Sequence, residues 1–202
     1  NEEEKNMKKK ALCLVLGLMM ALMMTPAARA DGEWKVTLGN DLTQSQREEV
    51  FDMLGVKEDE VQLFTITIDE EKALLGDLVP SDKIGTRSLS CASVRPLAEG
   101  DGIKVSTQNI TWVSETMYAS ALATAGVKDA EVNVACPVKV SGTAALAGIF
   151  KAYEATSGEL SDIAKETATE ELVTTGELGD IIGQEQAAEL IAMIKQKILE
   201  LG

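Results

Sequence analysis

Ser141-Gly142-Thr143 is the segment of this 202-residue chain best suited to hold an anion, because it follows a predicted strand and opens a predicted helix. Backbone amides at a helix N-terminus can receive a phosphate or carboxylate. The same three residues also read as a plain N-cap. Carboxylates are the second resource, with 33 acidic residues in the chain. Two acids flanking a sugar bond suffice for glycoside hydrolysis, but the sequence singles out no pair. Asp69-Glu70-Glu71 and the Glu99/Asp101 loop can attract a hard cation, but their commoner readings are a helix first turn and a hairpin tip. Trp112 and Tyr118 can stack on a sugar ring or fill a core.

Several chemistries are missing. The chain has no histidine, which removes Ser-His and Cys-His dyads and imidazole metal ligation. No nucleophile elbow, phosphate loop, acyl-enzyme S-x-x-K or calcium loop occurs. No catalytic residue, metal site or cofactor is assigned on this evidence. The formal net charge of −14 opposes nucleic-acid binding.

The first 30 residues set the expected compartment. Lys8, Lys9 and Lys10 precede an apolar run from Ala11 to Met24, and Ala28-Arg29-Ala30 precedes Asp31. That order is a secretory signal with cleavage after Ala30. The run of 14 residues falls short of the ~20 needed to span a bilayer, so no stable anchor is expected after cleavage. Cys13 sits too early in the run for a lipoprotein signal. Residues 1–6 read as an upstream extension, and residues 31–202 as a single exported domain. Removing residues 1–30 takes three of the 33 acids and five of the 19 bases, leaving a net charge of −16. Cys91 and Cys136 are then the remaining cysteines, and an even number in an exported protein points to a disulfide, with two small apolar core residues as the alternative.

The elements that would position these residues follow from periodicity and caps. Thr43 and Gln46 form a capping box for a helix ended by Gly55, and Ser114 caps a helix carrying Met117, Tyr118, Ala121, Leu122 and Ala125. Val61–Ile68 and Val132–Val140 read as strands, the second being an edge or interrupted at Pro137. Thr86–Leu97 and Ile103–Trp112 flank Glu99-Gly100-Asp101-Gly102 and predict two antiparallel strands joined by a hairpin loop. Residues 153–202 form a helical subregion holding 11 acids and three bases, with breaks expected at Gly176 and Gly183. Its two apolar stripes, Leu160 to Leu172 and Ala187 to Leu201, are expected to face inward. The class is α+β: a mostly antiparallel sheet of four or more strands covered by amphipathic helices, with a helical acidic C-terminal part.

Four ordered blocks, Gly39–Thr43, Val79–Arg87, Asn109–Val113 and Val140–Leu146, resemble the YpuA-like family of secreted Firmicute proteins, a domain of unknown function. The resemblance implies a Gram-positive exported or wall-associated protein and carries over no catalytic residue. The sequence therefore leads to an exported, envelope-associated or extracellular protein of non-enzymatic binding or structural role, its partner a cell-wall component or envelope protein. The alternative is a carboxylate-dependent glycan- or wall-active enzyme.

Overall fold

A computed structural model describes residues 32–76, 78–79 and 81–201, the side chains of residues 81 and 82 excepted. The expected leader lies outside the described residues. The chain runs β1 (Lys35–Gly39), α1 (Gln44–Leu54), β2 (Gln62–Ile66), α2 (Ile68–Leu75), α3 (Ser81–Ile84), β3 (Cys91–Pro96), β4 (Ile103–Ile110), α4 (Glu115–Thr124), β5 (Ala130–Val140), α5 (Ala145–Ser157), α6 (Asp162–Ile182) and α7 (Gln184–Leu201). The capping box expected at Thr43 and the N-cap expected at Ser114 both form. A third, Thr67 with Glu70, starts α2.

The five strands form one sheet in the order β2-β1-β3-β5-β4. The α+β class stands, but the sheet is mixed: β1/β2 and β4/β5 are parallel, β1/β3 and β3/β5 antiparallel. Parallel neighbours need a crossover helix, which α1 and α4 supply. The expected hairpin is replaced by a wider connection, because β5 lies between β3 and β4. Asp129, just before β5, explains how: its Oδ1 accepts the amides of Gly100 and Gly102 at 2.9 and 2.8 Å, tying the glycine loop to the incoming strand.

Pro137 acts as a break within an interior strand rather than as an edge marker. The β3 ladder stops at Cys91 opposite Ala135, and β4 shifts register between Gln108 and Ile110. Asn109, at φ 61°, makes the shift and sends its side-chain amide to the Cys136 carbonyl at 2.9 Å.

Alternation along the strands builds two layers of core. Val36, Leu38, Cys91 and Ala135 pack with Val50, Phe51 and Leu54 of α1. Ala92, Val94, Val132 and Val134 pack on the opposite side with Met117, Tyr118 and Leu122 of α4 and Leu146, Ile149 and Phe150 of α5. Helices therefore cover both faces. Small residues let α5 close on the sheet, and the Thr37 hydroxyl donates to the Gly148 carbonyl at 2.9 Å. α6 joins this core through Ala168 and Leu172, α7 through Ala188.

Gly183 separates α6 from α7 as expected, whereas Gly176 lies inside α6. A Cβ there would meet the Trp112 ring, with Cε2 at 2.8 Å, so the glycine makes room for an indole rather than ending a helix.

Candidate functional site

The Ser141-Gly142-Thr143 segment leaves β5 and enters α5 with Gly142 at φ 99°, a conformation that side-chain-bearing residues avoid. The turn directs both hydroxyls to one acceptor. Ser141 and Thr143 donate to the Lys83 carbonyl at 2.6 and 3.0 Å. Tyr118, fully buried, donates its hydroxyl to the Gly142 carbonyl. Burial holds that phenol well above its usual pKa, so it stays a donor. The three residues are thus brought together, with their hydroxyls clamping the end of α3, and helix α5 has no side-chain cap of its own.

The clamp presents Lys83. Its ammonium lies 4.6 Å from the Trp112 ring centroid and 3.5 Å from Asp180 Oδ2. Trp112 Nε1 donates to the other oxygen of Asp180 at 2.8 Å, which fixes indole and carboxylate as one unit. Beside it lies a cleft of about 290 Å3 lined by Lys83, Ile84, Gly85, Thr86, Arg87, Leu89, Val140 and Ser141. Arg87 is exposed at its mouth. None of these lining residues is acidic. Other clefts carry carboxylates: Glu115 and Glu185 in one of about 310 Å3, Asp162 and Glu166 in one of about 300 Å3, and Glu154, Glu159 and Asp162 in one of about 350 Å3. In a chain with so many acids, a cleft where Arg87 is exposed, the Thr86 hydroxyl lies beside it and Lys83 is shared with Asp180 is suited to receive a carboxylate or phosphate.

Sequence reasoning missed Lys83 and Arg87, since no motif marks two bases four residues apart. The signal available was scarcity: with 19 bases against 33 acids, a pair flanking Gly85-Thr86 stands out by charge.

The acidic run at the start of α2 divides in two. Glu70 caps the helix and receives Lys151 Nζ at 2.6 Å, which lowers its pKa. Glu71, read with it as part of a helix first turn, is fully buried. The Ser88 hydroxyl lies 2.5 Å from Glu71 Oε1 and 2.8 Å from the Ile66 carbonyl. One hydroxyl hydrogen cannot serve both acceptors. A proton on Glu71 resolves this, with Glu71 donating to Ser88 and Ser88 donating to Ile66. Burial, aided by Asp41 and Glu70, accordingly pushes the Glu71 carboxyl up to about 7. Its Oε2 is buried without a hydrogen-bond partner. Gly39 permits the cluster, since a Cβ there would meet the Ser88 backbone, with its carbonyl carbon at 2.6 Å.

Cys91 and Cys136, expected as a disulfide, are free buried thiols in this structure, and each donates to the Leu89 carbonyl at 3.5 Å. Burial pushes the Cys91 thiol up to about 12 and raises Cys136 as well, which suppresses the nucleophilic thiolate.

Known proteins place the chain without assigning it an activity. A profile described as "Protein of unknown function (DUF1002)" matches residues 38–202. The chain belongs to this family. It is similar to the uncharacterized protein YpuA of Bacillus subtilis (strain 168), at 44% identity over 200 residues, covering 97% of this chain and 69% of that protein. No solved structure matches it. The family carries no assigned chemistry in its description, so the functional reading rests on the clefts above.

Proposed function

We propose that this DUF1002 protein is exported and acts in or outside the cell envelope as a non-enzymatic binding protein. Its cleft at Lys83, Thr86, Arg87 and Ser141 takes a carboxylate or phosphate of a cell-wall component or envelope protein. The carrying observation is that Lys83 and the exposed Arg87 line a cleft with no acidic lining residue, in a chain of net charge −14. The Lys8–Ala30 pattern supports export. The lack of histidine and the suppressed thiols support binding rather than nucleophilic catalysis. Screening confines the general acidic repulsion to about 8 Å at physiological salt, so the exposed Arg87 governs the cleft, Lys83 being balanced by Asp180 at 3.5 Å.

A second reading has one observation in its favour. Glu115 and Glu185 share the cleft of about 310 Å3, and two acids are the minimum for a glycosidase. Against it, Glu115 already accepts the Thr107 amide at 2.9 Å, and both glutamates lie in helix first turns, where carboxylates have a structural use.

Co-sedimentation of residues 31–202 with isolated Gram-positive cell walls, assayed for pelleted protein and released soluble fragments, separates the two. The expected result is pelleting without release, weakened about tenfold by Arg87→Glu, which replaces an attraction by a repulsion worth ~1.4 kcal/mol or more. Fragment release that Glu115→Gln or Glu185→Gln abolishes would transfer the function to the acidic cleft.

A further inference from the structure

α7 meets the body through Ala187 and Ala188, and much of the stripe expected to face inward lies in solvent, with Met193, Ile198 and Leu201 67%, 63% and 78% exposed. The polar contacts of this region gather instead where α6 ends. Asp180 stands in the last turn of α6, where the helix dipole disfavours a negative charge. Groups from three other segments hold it there. Trp112 Nε1 donates to Asp180 Oδ1 at 2.8 Å, and Gln184 Nε2, from the first turn of α7, donates to the same oxygen at 3.2 Å. Lys83 Nζ lies 3.5 Å from Oδ2 and over the Trp112 ring. One carboxylate oxygen is therefore fixed on the indole and the other is turned to Lys83.

We propose that Asp180 sets the charge of the anion that the Lys83–Arg87 cleft accepts: by neutralising Lys83 it admits a singly charged oxyanion ahead of a doubly charged one. This rests on the reading of that cleft as an anion site. Among the described residues, Asp180 is the one carboxylate in an ion pair with a residue lining the cleft. The Ser141 hydroxyl is already given to the Lys83 carbonyl at 2.6 Å. The exposed Arg87 is the cation that remains for a ligand, and its guanidinium matches one carboxylate or phosphodiester group. A second ligand charge would face Asp180 across Lys83, in a chain of net charge −14. With Lys83 released, two cations would line the cleft and a phosphomonoester would suit it.

Asp180→Asn tests this, because Asn keeps the oxygen that Trp112 Nε1 needs and removes the charge facing Lys83. The probes are dimethyl phosphate and acetate, each singly charged, and methyl phosphate, doubly charged at pH 8 because its second pKa is about 6. Affinities are read from the Gly85, Thr86 and Ser141 amide shifts of the full chain. Coulomb energy scales with ligand charge, so a roughly threefold gain for the two monoanions in Asp180→Asn becomes its square, about tenfold, for methyl phosphate. The ratio of dimethyl phosphate to acetate affinity in the wild type identifies which monoanion the cleft prefers. Arg87→Gln should abolish dimethyl phosphate binding in the wild type, and adding Asp180→Asn should restore it through the released Lys83. Asp180 is half exposed, and circular dichroism checks the fold; Asp180→Ser removes the same charge and should give the same split between the probes. Equal gains for all three probes, or none, with the shifts still at these amides, would overturn the role of Asp180 and leave the cleft standing. No shift with any probe in either protein would overturn both.

Discussion

Glu71→Gln should flatten the pH dependence of stability. In the folded protein the carboxyl titrates at about 7, against an ordinary value of 4.5. Between those values the native state keeps a proton that the unfolded chain has released. Unfolding then releases that proton, so stability falls as pH rises from about 4.5 to 7 and levels off above. The span corresponds to a loss of ~3 kcal/mol. Gln cannot ionise, and its amide can donate to Ser88 as the protonated acid does. Its second N–H has no evident acceptor, because Ser88 is the one described partner at the Oε1 position the amide takes, so the variant should start ~1 kcal/mol lower at pH 4.5. Above pH 7 it should be the more stable protein by ~2 kcal/mol. Urea unfolding of both proteins from pH 4.5 to 8.5 measures the difference. Parallel curves would show that Glu71 is solvated or paired in a way this structure does not contain.

Gly142→Ala should cost ~3 kcal/mol or more, as the sum of strain at positive φ and overpacking. The added methyl would meet Ile110 Cγ2 and the Tyr118 hydroxyl, the latter at 2.7 Å. Tyr118→Phe alone should lose ~1 kcal/mol with its hydrogen bond to Gly142. In the Gly142→Ala background the same change removes an obstacle, so it should cost less or even stabilise. That coupling, read from denaturant unfolding of the four proteins, locates the strain at the Tyr118 contact. Additive effects would place it elsewhere. Because Ser141 and Thr143 hold the Lys83 carbonyl, the variant should also lose affinity at the cleft.

What was legible in the sequence was local. Thr43 and Ser114 announce their helices because a capping box is settled within four residues. The insertion of β5 between β3 and β4 was not, since Glu99-Gly100-Asp101-Gly102 looks the same whether the next strand returns alongside or leaves a gap. The partner that decides it, Asp129, is 27 residues beyond Gly102. Glu70 and Glu71 are adjacent acids with opposite surroundings, distinguished only by what Ser88 and Lys151 bring from elsewhere in the chain. The α7 periodicity correctly announced a helix but left open which arc would be covered, because exposure depends on the width of the neighbouring surface.

The site was half legible. Ser141, Gly142 and Thr143 were found, and they do converge, but on the Lys83 carbonyl of a segment 58 residues earlier. The cations they position carry the charge an anion would need, and only tertiary contacts join the two segments.

Amide chemical shifts of residues 31–202 titrated with inorganic phosphate address the cleft most directly. Shifts should concentrate at Gly85, Thr86, Arg87 and Ser141 and vanish in Arg87→Glu. A titration that leaves these four amides unmoved, or one that persists unchanged in Arg87→Glu, would remove the Lys83–Arg87 cleft as the binding site.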